Sequence, residues 1–123
     1  LKDKAESPNE AELLAVVDGV VAGTAGISAV GSAYKLQHRA EFGISIARAY
    51  WGLGIGQALT AACIDCARKA GYTQLELDVV ADNASAIALY KKFGFTEYGR
   101  NPQGFRLRSG GYQELVLMRL ELS

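Results

Sequence analysis

The sequence predicts an α/β (α+β) domain built on a mixed, mostly antiparallel sheet flanked by helices. Three observations predict it. Apolar residues alternate along "ELLAVVDG", "VVAGTAGISAV" and "HRAEFGISIA", which reads as strands. Two later stretches, 56–70 and 84–93, space their apolar residues with helical period, and a glycine follows each. Alternation then returns in "YTQLELDVV", "GFTEYGR" and "YQELVLMRLEL". With 123 residues and half of them apolar, the chain suits one domain, 1–123, with a core of ordinary size.

The first two runs form a hairpin, because "DG" at 18–19 is the dipeptide a type I′ turn demands. The same pair, with Asp18 interrupting the apolar stretch 13–30, argues against a transmembrane helix. The third strand leads into "YWGLGIGQAL", with glycine at 52, 54 and 56. A helix follows from about Gly56 to Ala70, its apolar stripe at 59, 62, 63, 66, 67 and 70, with Gly71 as the left-handed stop. After the next strand, Asn83 caps a second helix, "ASAIALYKKF", whose stripe is Ala86, Leu89, Tyr90 and Phe93 and whose stop is Gly94. The Gly/Pro/Arg-rich "NPQGFRLRSGG" reads as the loop between the last two strands. No linker or repeat divides the chain.

Thirteen basic residues balance thirteen acidic ones, so no global field favours nucleic acid; the one basic cluster is local, at Arg100, Arg106 and Arg108. No basic, apolar, small-residue signal segment opens the chain, so a cytoplasmic protein without membrane association is expected. The start at Leu1 rather than methionine suggests an N-terminally truncated fragment. "CIDC" at 63–66 lies inside the helical pattern with no second Cys/His pair, so both cysteines read as small core residues and no metal is expected. His38, the single histidine, reads as a loop or strand-edge residue.

The glycines between a strand and a helix N-terminus suit an anion. The first helical N–H groups lack intrahelical partners, and the absence of Cβ atoms lets a phosphate reach them. Tight packing of helix on sheet would account for one or two glycines. A dinucleotide fold shares this element order, with Glu76 and Asp78 on the next strand, but GxGxxG from Gly52 meets Gln57, and from Gly54 meets Leu59. A Walker A loop fails for want of Gly-Lys-Ser/Thr.

In two separated motifs the sequence resembles the GNAT superfamily of acyl-coenzyme A-dependent N-acyltransferases. "WGLGIG" (51–56) matches the pyrophosphate loop Q/R-x-x-G-x-G/A, with Trp51 in the Q/R place. "LELDVVADNASAIALYKKFGF" (75–95) matches the strand, asparagine and "LYxxxGF" helix downstream. The resemblance covers about 12–122 and leaves only some ten residues for the family's opening strand and two helices, where much of the acceptor wall is usually built.

The resemblance implies an N-acetyltransferase that moves the acetyl group of acetyl-coenzyme A to a primary amine by direct attack. The acceptor would be a small-molecule or protein amine, and a homodimer is left open. It implies that the main chain of Ile44, Ser45 and Ile46 pairs with the pantetheine arm as an added strand would. Trp51, Gly52, Leu53, Gly54, Ile55, Gly56 and Gln57 would hold the pyrophosphate, and the Asn83 amide would bond to the cofactor, alongside its reading as a plain helix cap. Lys91, Lys92 or Arg68 could meet the 3′-phosphate or be solvated helix charges.

An amine with pKa about 10.4 is neutral in only about one molecule in 2,500 at pH 7, so a base or water chain must help. Asp78, five residues before the asparagine, and Glu41, opening the third strand, are the candidates; each could equally be a polar position on an alternating strand. Tyr90 matches the family's acid toward the leaving thiolate, and could instead be a core aromatic. A non-catalytic coenzyme A-binding regulatory module is the alternative, and a nucleotide-binding domain the third.

Overall fold

A computed structural model describes residues 2–7 and 10–122. Two compact units divide the chain: Leu1–Leu75 with Leu122–Ser123, and Glu76–Glu121.

In the first unit β1 (Lys2–Ser7), β2 (Glu10–Val17), β3 (Val20–Ala29) and β4 (Arg39–Ile46) lie side by side in that order, each antiparallel to the next. The sequence pattern had not suggested β1. The hairpin turn is as expected: Asp18 and Gly19 have φ of 49° and 81°, the two positive values of a type I′ turn. Register places Leu13 opposite Ala25 and Ile27 opposite Phe42, giving one apolar face.

Helix α1 (Ile55–Lys69) packs on β2, β3 and β4. Its buried residues are Leu59, Thr60, Cys63, Ile64 and Ala67, whereas Ala62, Cys66 and Ala70 of the expected stripe are only half-buried. The stripe is thus rotated toward Thr60 and Ile64. Thr60 is tolerated there because its hydroxyl donates to the Gly56 carbonyl at 2.7 Å, leaving a methyl for the core. Burying Leu59 and Ile64 contributes about 1.5–3 kcal/mol each. The helix ends in a Schellman motif, with Tyr72 N–H on the Ala67 carbonyl and Gly71 N–H on that of Arg68, both at 3.1 Å. Strand β5 (Gln74–Val80) starts beside the beginning of β4, where Thr73 and Gln74 N–H groups both donate to the His38 carbonyl. His38 therefore contributes backbone and leaves its ring exposed.

The second unit holds the rest of β5, then α2 (Ala84–Lys92), β6 (Thr96–Arg106) and β7 (Tyr112–Glu121), in strand order β5-β7-β6 with β6 antiparallel to β7. Helix α2 closes with a second Schellman motif, Phe95 N–H to Tyr90 O and Gly94 N–H to Lys91 O, both 3.0 Å. The loop expected at 101–111 is mostly strand. Between Asn101 and Phe105 the register slips, so the Pro and Gly sit in a bulge on an edge strand, where a missing N–H costs little. The bulge depends on Gly104, since a Cβ there would lie 2.4 Å from the Leu115 side chain. The expected basic cluster is also divided. Arg100 pairs with Glu97 and, at 3.0 Å, with Glu114, leaving Arg106 and Arg108 at the hairpin end.

Candidate active site

In the first unit, β4 passes through a 3-10 turn, Arg48–Tyr50, into the glycine loop. Gly52 and Gly54 have φ of 79° and 80°, left-handed values that a side chain rarely adopts, and a Cβ on either would meet nothing within 4 Å. Tight packing is therefore not why these two are glycines: the space beside them is open. Gly54 is the N-cap of α1, and its carbonyl accepts from Ala58 N–H at 3.1 Å. In the first turn of α1 the N–H groups of Ile55, Gly56 and Gln57 have no partner further back in the helix, so they form a row of donors at a helix N-terminus. Gly56 differs from the other two, being inside α1 with helical φ.

Trp51 holds the loop to the strand. Its indole N–H donates to the Ile46 carbonyl at 2.9 Å, while the ring stays 61% exposed. Leu53 is exposed, Gln57 is exposed in the first turn of α1, and Ile55 is half-buried. On β4, Ile44 and Ile46 are half-buried opposite Ala25 and Gly23, and Ser45 is exposed opposite Thr24. Glu41 lies opposite Ser28 on the Ser45 face, exposed, and opens with Glu10 and Glu12 onto a trough of about 560 Å³ floored in part by Gly26 and Gly43.

In the second unit, β5 carries Asp78, exposed between buried Leu77 and Val79. Glu76 is 7% exposed, although strand alternation puts it on the same face as Asp78. A buried carboxylate is costly unless bonded, which makes Glu76 a proton-handling candidate that sequence reading passed over. Its one signal was an acidic residue flanked by leucines.

Asn83 caps α2, its Oδ1 accepting from Ala86 N–H and from the Ser85 hydroxyl, both at 3.2 Å. Only one end of the amide is thereby used, and Nδ2 keeps its donors. Tyr90, one of the least exposed residues of α2, packs edge to face on Phe95 with ring centroids 5.8 Å apart. Burial pushes its phenol above the usual tyrosine range, which keeps the proton on the oxygen at neutral pH. Arg68, Lys91 and Lys92 are exposed.

Cys63 and Cys66 are free thiols, Cys63 fully buried and its pKa pushed up to about 12, first by burial and then by Cys66. That environment suits a core thiol, not a nucleophile. Among the described residues no group of three His, Cys, Asp or Glu side chains could hold a metal, and no helix is long and apolar enough to cross a membrane.

A row of backbone donors at a glycine-opened helix start, in an α/β domain with a mixed sheet, is a site open to an anion, and comparison with known proteins gives the family. The profile of the "Acetyltransferase (GNAT) family" matches residues 1–95. The L-amino acid N-acetyltransferase AaaT of Escherichia coli K12 is 34% identical over 115 residues, 93% of this chain and 70% of that protein. A GNAT acetyltransferase structure from Streptococcus pneumoniae superposes with TM-score 0.89 at 31% identity, covering 94% of this chain and 69% of that one. The structure of yncA, a putative acetyltransferase from Salmonella typhimurium with its cofactor acetyl-CoA, superposes with TM-score 0.85 at 28% identity, covering 93% and 65%.

The chain belongs to the acetyltransferase (GNAT) family, and its fold is that of the family. Transfer of an acetyl group from acetyl-coenzyme A to an amine is accordingly its family-level activity. The chain spans roughly two thirds of the length of these three proteins: 70%, 69% and 65%.

Proposed function

We propose that 1–123 is an acetyltransferase domain whose glycine loop binds the pyrophosphate of acetyl-coenzyme A, and that it acetylates the α-amine of a small, amino-acid-like acceptor in the cytoplasm. The observation that carries the cofactor reading is the pair of left-handed glycines, Gly52 and Gly54, with open space beside them at the N-terminus of α1. Trp51, Leu53, Ile55, Gly56 and Gln57 complete the loop. The main chain of Ile44, Ser45 and Ile46 takes the pantetheine arm. Asn83 serves through its Nδ2 donors while its Oδ1 caps the helix. The acceptor class is supported by likeness to a protein named for L-amino acids; a protein amine is the second acceptor class.

The protein supplies orientation, a base and an acid. The amine nitrogen attacks the thioester carbonyl, its proton passes to a carboxylate directly or through water, and the departing thiolate takes a proton from Tyr90. Asp78 and Glu41 are exposed carboxylates suited to a water-relayed proton, while buried Glu76 would need closer contact.

Steady-state release of coenzyme A thiol from acetyl-coenzyme A, measured over a panel of free amino acids, polyamines and peptides, tests the reading. Amine-dependent release, greatest with amino acids, is the expected result. Tight coenzyme A binding without release for any amine would instead establish a non-catalytic binding module. Sedimentation velocity on the same preparation tests for a homodimer.

A further inference from the structure

We propose that Arg48 is a phosphate-contact residue for coenzyme A, held in place by stacking on Trp51, so that the pair brings a cation to the head of the glycine loop. The proposal rests on the acyl-coenzyme A reading above.

The geometry begins with the local sequence "RAYW". Residues Arg48–Tyr50 form a 3-10 turn, closed by Tyr50 N–H on the Ala47 carbonyl at 2.9 Å and Trp51 N–H on the Arg48 carbonyl at 3.2 Å. With three residues per turn, side chains at i and i+3 stand one above the other. The Arg48 guanidinium accordingly lies over the Trp51 ring, its central carbon 5.3 Å from the ring centroid. The ring is itself fixed, because its N–H is tied to the Ile46 carbonyl. Arg48 therefore rests on an oriented platform and loses less side-chain freedom on meeting a ligand than an unsupported arginine would.

Arg48 is also uncommitted. Among the described residues the ion pairs employ Lys69, Arg100 and Arg119, and none engages Arg48. Indole carries no charge, so Trp51 in the first loop position supplies ring surface but nothing for an anion. Stacking brings a planar, multidentate cation onto the residue that precedes Gly52 in the chain. Coenzyme A carries a pyrophosphate and a 3′-phosphate, and an arginine fork bonds either.

The test is coenzyme A affinity of the full chain by calorimetry at several ionic strengths, for wild type, Arg48→Ala, Arg48→Lys, Trp51→Leu and the Arg48→Ala/Trp51→Leu double variant. Arg48→Ala should weaken binding about tenfold and flatten its salt dependence, with Tm unchanged. Arg48→Lys, keeping charge but losing the planar fork, should recover part of the loss. The effect of Arg48→Ala should shrink in the Trp51→Leu background, because the arginine acts from the ring. Dephospho-coenzyme A then tells which phosphate is met: a loss confined to coenzyme A names the 3′-phosphate, and a loss on both names the pyrophosphate. Wild-type affinity and salt dependence in Arg48→Ala would overturn the proposal. A salt-independent loss that tracks a fall in Tm would overturn it too, since the stack would then only steady the loop. A wild-type chain that binds no coenzyme A removes the underlying cofactor reading as well, a result distinct from either.

Discussion

Tyr90 and Phe95 meet edge to face, their planes inclined by 62°, across the motif that closes α2. The contact uses the tyrosine ring and leaves its chemistry to the hydroxyl, so Tyr90→Phe separates packing from proton transfer. If the hydroxyl protonates the departing thiolate, kcat should fall about 10²–10⁴-fold, roughly 2.7–5.5 kcal/mol of barrier, with acetyl-coenzyme A affinity retained. Stability should change by no more than about 1.5 kcal/mol, the scale of one hydrogen bond. Turnover and Tm measured on one preparation check this; wild-type kcat would leave solvent as the proton source.

The glycine loop gives a second expectation. Gly54→Ala places a Cβ on a residue with φ of 80°, at a cost of about 1–2 kcal/mol in stability. The same Cβ enters the open space proposed for phosphate, so coenzyme A affinity should drop at least about tenfold, roughly 1.4 kcal/mol. Denaturant titration and calorimetry together separate the effects. A folded variant with unchanged affinity would show that the phosphate lies elsewhere.

The three carboxylates should sort by pH. Of Asp78→Asn, Glu41→Gln and Glu76→Gln, only the one removing the base should lose rate chiefly on the acid side of the kcat/KM profile, where the substrate amine is most fully protonated. Glu76→Gln should additionally lower stability by about 1–3 kcal/mol, because Glu76 is buried and the exposed pair are not. An unaltered profile in all three variants would leave proton removal to water.

Much of the fold was legible because its determinants are local. The Asp18–Gly19 turn, the Asn83 cap and the glycines at 71 and 94 depend on the φ or side-chain oxygen of single residues, and each does what its residue type demands. The misses depend on what lies opposite. Pro102 and Gly104 read as loop until the bulge against Leu115 absorbs them, and Thr60 lies outside the apolar stripe of the sequence yet is buried, its hydroxyl bonded to the Gly56 carbonyl. Glu76 and Asp78 share a face by alternation, yet one is covered and the other is not. Burial of that kind comes from distant chain and leaves no trace in the spacing. Of the site, the loop glycines announced themselves, whereas the contact of Arg48 with Trp51 required knowing that 48–50 make a 3-10 turn.

Cysteine chemistry offers a fourth test. The Cys63 thiol, raised to about 12 by burial, stays protonated in the folded chain while its unfolded counterpart ionises near pH 8.5. Its contribution to stability is therefore fully present below about pH 8.5 and is lost progressively as pH climbs toward 12. Denaturant midpoints from pH 7 to 11 should fall less steeply in Cys63→Ala than in the parent. Iodoacetamide at pH 8 should label Cys63 only after unfolding, and rapid labelling of the native chain would contradict its burial.

The tie between the Trp51 indole and the Ile46 carbonyl has a spectroscopic corollary. The chain contains one tryptophan, and it stands 61% exposed at the mouth of the loop. Its fluorescence is therefore a single-site signal with no background from the core. Given that exposure, emission should begin near the wavelength of hydrated indole, and a ligand that shields the ring should move it to the blue or quench it. The protein thus carries its own reporter of loop occupancy, which can be read by titration without a label or a coupled enzyme.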